Sequence, residues 1–182
     1  MQLQDLLHLT TMHACLGSAL SIRSNVKRGA ETNATLYAYG ANTSAWPIAY
    51  GLSDGLLYIT ETPDNADANL TPLSWDLASI TGENWIANAT FLNGTSAGSM
   101  YILPQENNAV GVLPMARATD VNGTVSGFAL FASQLVYNNN TYLEAQFWGR
   151  PTETSGIYSL CWIVDGAPEE GSFPVVIKGV EA

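Results

Sequence analysis

The chain has 182 residues, 47% of them hydrophobic and 12% charged, the size and balance of one domain with its own buried core, which excludes a disordered chain. Its 16 acidic residues outnumber 6 basic ones for a formal net charge of −10, which repels phosphate backbones and excludes a nucleic-acid groove. A core of this size needs neither a metal nor a disulfide to stand alone.

At the start of the chain, Leu6-Leu7-His8-Leu9 and Cys15-Leu16-Gly17-Ser18-Ala19-Leu20 form a short apolar stretch that ends in small residues and is followed by Lys27-Arg28. This reads as a secretory leader with a dibasic processing site over residues 1–28, leaving a single domain at 29–182. Asp5, His8 and His13 interrupt the apolar run. The alternative is an amphipathic helix that belongs to the folded domain.

Export is the better reading because of the Asn-x-Ser/Thr triplets at Asn33, Asn42, Asn69, Asn88, Asn93, Asn122 and Asn139. With 14 Asn and 30 Ser plus Thr in 182 residues, chance placement gives about two such triplets; seven is roughly a threefold excess of this glycosylation acceptor. The expected location is therefore extracellular, with the cell wall as one destination. Loss of residues 1–28 would leave three basic against 15 acidic residues, a formal charge of −12, and would remove both histidines and Cys15. Cys161 would then be the lone thiol, and its setting in Ser159-Leu160-Cys161-Trp162-Ile163-Val164 reads as a buried strand. The C-terminal Val180-Glu181-Ala182 lacks the hydrophobic tail of a lipid-anchor signal, so a product released or held non-covalently, with no membrane span, is expected.

From residue 33 onward, short β-branched and aromatic runs alternate with Asn, Gly, Asp, Pro and Thr clusters. Strands are expected near 34–39, 46–50, 56–60, 84–92, 98–103, 110–114, 125–137, 141–149, 156–164 and 173–178. At Ser74-Trp75-Asp76-Leu77-Ala78-Ser79-Ile80 one short turn of helix is the most the pattern supports. Ser53-Asp54-Gly55 and Asn138-Asn139-Asn140 supply residues that tolerate the positive φ of tight turns, and Asp165-Gly166 opens a looser connection. The final four strands, 125–178, read as a meander. Together these elements predict an all-β antiparallel sandwich of eight to ten strands with Greek-key or jelly-roll connections.

One strand can be oriented from its sequon. In residues 85–91, a glycan on Asn88 would place Ile86 and Thr90 toward solvent, and Trp85, Ala87, Ala89 and Phe91 toward the core. The strand at 141–148 puts Leu143, Ala145 and Phe147 on one face and Tyr142, Glu144, Gln146 and Trp148 on the other. Aromatic rings beside a carboxylate and an amide suit a sugar, offering flat surfaces for its C–H side and acceptors for its hydroxyls. The same composition also describes an ordinary exposed antiparallel face.

Without histidine in the mature chain, neither a Ser-His-Asp or Cys-His apparatus nor a His-rich metal site can be assembled. No phosphate loop or cofactor fingerprint is present, so no cofactor is expected. Asp64-Asn65-Ala66-Asp67-Ala68-Asn69, with Asp76 following, spaces oxygen ligands as a calcium loop does, but Leu70 stands where the turn requires glycine. The segment reads as an Asx-rich turn and no metal is expected.

Thr35-Leu36-Tyr37-Ala38-Tyr39-Gly40, followed by Asn42, Ser44, Pro47-Ile48, Tyr50, Asp54-Gly55 and Tyr58-Ile59, resembles a group of small secreted proteins of ascomycete fungi in which a Tyr-Ala-Tyr-Gly segment opens the mature domain. Ser155-Gly156-Ile157-Tyr158-Ser159-Leu160 fits the C-terminal part of the same group. The resemblance implies location and overall type, and transfers no catalytic residue. Two functional expectations follow. The first is a secreted, N-glycosylated, non-catalytic binding module whose partners are cell-wall or host glycans or an extracellular protein; the second is a carboxylate-dependent enzyme acting on extracellular glycans, with Glu144 as its named acid.

Overall fold

The computed structural model describes residues 29–41, 43–114, 123–139, 142–163 and 169–181. The expected leader at 1–28 with Cys15, the sequon asparagines Asn42 and Asn122, and the Asp165-Gly166 connection lie outside the described residues.

Strands form where side chains alternate between core and solvent. In the last strand, β13 (Phe173–Glu181), Phe173, Val175, Ile177 and Gly179 are buried, while Pro174, Val176, Lys178 and Val180 are exposed. In the first, β1 (Glu31–Gly40), Ala34, Leu36 and Ala38 are buried between the half-exposed Thr35, Tyr37 and Tyr39. These two strands pair with each other in one register from Ala34 opposite Glu181 to Gly40 opposite Val175.

Between them run β2 (Thr43–Gly51), β3 (Leu57–Thr60), β4 (Leu70–Leu77), β5 (Asn88–Phe91), β6 (Ser96–Leu103), β7 (Ala109–Leu113), β8 (Phe128–Phe131), β9 (Gln134–Asn138), β10 (Leu143–Glu144), β11 (Phe147–Pro151) and β12 (Ile157–Trp162). The ladders are antiparallel. The thirteen strands of the described residues belong to one sheet, which the β13–β1 and β12–β7 pairings close on itself into a nine-strand β-barrel. The protein is thus all-β and antiparallel, as its sequence indicates. The expected two-sheet sandwich with eight to ten strands is corrected: first and last strands pair, so the sheet has no free halves to stack. Period-two burial is the same in a sandwich strand and a barrel strand; the closing pairings remove edges within the barrel, while β10 stays at one end of the strand order.

Four local readings change as well. Residues 70–77 form β4, with Leu73, Trp75 and Leu77 buried at period two, where at most a helical turn is expected. The run 125–137 is two strands, because Ala132 and Ser133 both take positive φ (51° and 68°) and fold β8 back on β9. The run 141–149 is broken, since residues 145 and 146 lie between β10 and β11. The terminal meander fails at its last step, where β13 pairs β11, β9 and β1 and leaves β12 to β11, β3 and β7.

One main core fills the barrel, built around Trp75, Phe128, Phe147, Leu36, Leu57 and Leu160. A second, separate apolar cluster joins Ala49, Leu70 and Ile157, with Tyr58 and Ala68 packed against it. Among the described residues no helix is long and apolar enough to cross a membrane.

Candidate functional site

The strand face read from sequence as a sugar platform does not assemble. Phe147 is in the core at 1% exposure, but its expected companions Leu143 (45% exposed) and Ala145 face outward. β10 is two residues long and stands at one end of the strand order. Tyr142 is 70% exposed beside β10, while Trp148 is half-buried on β11 beyond the break that includes Gln146. Glu144 is tied locally: its carboxylate accepts from Asn139 Nδ2, while the Tyr142 backbone N–H donates to Asn139 Oδ1 at 3.0 Å.

A recess of about 320 Å³ opens instead between the β4–β5 loop, the approach to β8 and the end of β9. Its walls are Trp85 and Tyr137, with Glu83, Asn84, Ser126 and Asn138 around them. The three segments are fastened to one another. The Trp85 carbonyl accepts from the Gly127 and Phe128 N–H groups at 2.7 and 3.0 Å, and the Gly127 carbonyl accepts from the Asn138 N–H at 2.8 Å. Tyr137 is held by its ring: it tilts against Phe128 at 5.6 Å and meets Trp162 edge-on at 5.5 Å, and Trp162 in turn meets Phe147 edge-on at 4.9 Å. The tyrosine wall is therefore an extension of the core aromatic stack. On the facing wall, Trp85 Nε1 is buried without a hydrogen-bond partner.

The sequence reading of residues 85–91 holds around its centre and fails at its start. Asn88 is exposed between buried Ala87 and Ala89, and Phe91 packs against the core and edge-on to Tyr50 at 5.7 Å. Trp85 is half-buried at the recess wall, three residues before β5 begins. Nothing in the sequence pairs Trp85 with Tyr137 across 52 positions; the signal that existed was the polar run Gly82-Glu83-Asn84 ahead of a tryptophan.

A second recess, of about 300 Å³, lies over the small apolar cluster and is lined by Asp54, Tyr58, Leu70, Glu153 and Ile157 among others. Tyr58 Oη donates to Asp54 Oδ2 at 2.6 Å, and the Leu56 N–H donates to Asp54 Oδ1 at 2.9 Å. Burial, then the hydrogen bond to Asp54 and its charge, push the Tyr58 hydroxyl well above the usual tyrosine range, so it stays a donor.

The described sequon asparagines, Asn33, Asn69, Asn88, Asn93 and Asn139, are all exposed. Asn93 Oδ1 accepts from both the backbone N–H, at 2.9 Å, and the hydroxyl of Thr95, which turns its sequon into a tight Asx turn. In the calcium-like segment, Asn65 Oδ1 accepts from the Ala68 N–H at 3.1 Å, and Asp76 lies on β4 with its Oδ1 facing the Asn33 N–H at 3.4 Å. Cys161 is fully buried, and its thiol donates to the Trp148 carbonyl at 3.5 Å; burial pushes the thiol above its ordinary range.

No protein-family model, curated protein or solved structure matches the chain. The described residues form a closed antiparallel β-barrel that carries these two recesses.

Proposed function

We propose that the protein is a secreted, N-glycosylated, non-catalytic binding module for extracellular glycans, acting at a cell wall or on a host surface. The observation that carries this reading is the recess lined by Trp85 and Tyr137 together with Glu83, Asn84 and Asn138. Two aromatic faces supply contact for the C–H side of a sugar ring, and amide and carboxylate groups on a fixed scaffold supply partners for its hydroxyls. The exposure of every described sequon is consistent with passage through the glycosylating export route, and the resemblance to small secreted fungal proteins supports the same location. The carboxylate-enzyme alternative gains no support from the residue that suggested it, because Glu144 lines neither recess and is engaged by Asn139.

The test is incubation of the processed protein, recovered from culture medium, with insoluble β-glucan, chitin, cellulose and pectin. Retention without soluble products, weakened by Tyr137→Ala and by Glu83→Ala, is the expected result. Release of soluble sugars would favour the enzyme, and retention that neither substitution changes would remove the recess from the reading.

A further inference from the structure

We propose that the second recess binds a primary alkylammonium group, through Asp54 and Glu153 with Tyr58 and the small apolar cluster beneath them. This site is separate from the glycan recess and does not depend on that reading.

The floor is apolar and separate from the main core: Leu70 and Ile157, with Tyr58 and Ala68 packed against them, sit outside the barrel interior. A floor of this kind suits a short alkyl chain. One acid is rigidly placed. Asp54 takes the Leu56 N–H on one oxygen and the Tyr58 hydroxyl on the other, and Gly51 packs so closely that a Cβ there would meet Asp54 Oδ1 and, at 2.9 Å, Tyr58 Cε2. The second acid, Glu153, is exposed on the facing loop. That loop is itself fastened, because the Thr152 hydroxyl donates to the Ile157 carbonyl at 2.8 Å and the Thr154 N–H donates to Thr152 Oγ1 at 3.2 Å.

Charge selects the ligand. Among the described residues, two carboxylates line the recess and no basic side chain does. The described cations are engaged elsewhere: Arg150 pairs with Glu169 at 3.2 Å, and Lys178 lies 4.9 Å from the Tyr39 ring centre. A chain of net charge −10 adds a long-range field of the same sign. An ammonium would make charge-assisted hydrogen bonds to these carboxylates, while its alkyl chain covers Leu70 and Ile157. At about 300 Å³ the space suits a chain of a few carbons. A lysine side chain on a protein partner and a free diamine present the same chemistry.

Ligand-observed NMR on the full glycosylated protein separates the outcomes, with 1,5-diaminopentane, Nα-acetyl-lysine methylamide and the uncharged 1-pentanol as probes. Binding of the lysine amide, with or without the diamine, is expected, with no matching signal from 1-pentanol and with weakening as salt rises. Binding of the diamine as well identifies free amines as a source; binding of the lysine amide alone identifies a protein partner. Glu153→Gln should weaken binding about tenfold, whereas Glu83→Gln in the other recess should leave it unchanged. Asp54→Asn disturbs a turn as well as a charge, so the exposed Glu153 is the position that decides. Equal binding of 1-pentanol, amine affinity unaltered by Glu153→Gln, or no binding of either amine would overturn the proposal.

Discussion

Gly127 sits so close to Tyr137 that a Cβ at position 127 would fall 2.6 Å from the tyrosine Cε2 and 2.8 Å from the Asn138 carbonyl oxygen. Its φ of 113° is also one that side-chain-bearing residues avoid. The glycine therefore lets the approach to β8 lie against the end of β9 and shapes the recess that Trp85 and Tyr137 line. Gly127→Ala is expected to destabilise the protein by about 2–4 kcal/mol, combining backbone strain with overpacking against a ring locked to Trp162. Urea unfolding monitored by tryptophan fluorescence checks this; a loss below about 0.5 kcal/mol would show that the contact relaxes freely.

Trp85 offers a different kind of test. Its Nε1 is buried with no acceptor, so removing the N–H takes away an unpaired donor rather than a hydrogen bond. Trp85→Phe should cost less than about 1 kcal/mol, well below the roughly 3–5 kcal/mol typical of truncating a buried aromatic to alanine. Phe147→Ala in the core provides that contrast in the same unfolding experiment, because Phe147 is 1% exposed and packs edge-on to Trp162.

The β8–β9 turn explains why part of the fold is hidden in the sequence. Ala132 and Ser133 both adopt positive φ, a conformation that Asn-Gly announces and Ala-Ser does not, so a hairpin reads as one long strand. β4 is hidden for a related reason: Pro72 and Asp76 blur an alternation that Leu73, Trp75 and Leu77 keep. By contrast, β13 and the part of β1 from Ala34 onward are legible by their alternation, and β3, β6, β7 and β12 as short β-branched and aromatic runs bounded by turn residues. Closure of the barrel is not legible, since the pairing of Ala34 with Glu181 joins the ends of the domain and leaves no local mark. The recesses are illegible for the same reason, each being assembled from segments remote in sequence. The aromatic strand face is legible as composition, but its geometry fails because strand pairing breaks at residues 145 and 146.

The same turn yields a stabilising substitution. Replacing Ala132-Ser133 by Asn-Gly should raise stability by about 1 kcal/mol or more, because Asn and Gly populate the left-handed region at little cost. Differential scanning calorimetry of the double variant would show a raised Tm. An unchanged or lowered Tm would mean that the Ala132 and Ser133 side chains make compensating contacts.

Alkaline pH should weaken the fold through groups kept neutral by their surroundings. The Tyr58 hydroxyl is pushed up first by burial, then by its hydrogen bond to Asp54 and that carboxylate's charge; burial alone pushes up Tyr101; and Cys161 is pushed up mainly by burial. In each case the folded state holds its proton to higher pH than the unfolded chain does. Their contribution is therefore fully present below the unfolded values, about 8.5 for cysteine and about 10 for tyrosine, and is lost as pH rises toward the folded ones. Unfolding free energy measured by urea titration should accordingly be level near pH 8 and fall between about pH 9 and 11. Tyr58→Phe should flatten that fall, because it removes the group whose titration opposes both burial and Asp54. A fall of the same steepness in the variant would assign the alkaline loss to Tyr101 and Cys161 and leave the Tyr58–Asp54 pair without a role in it.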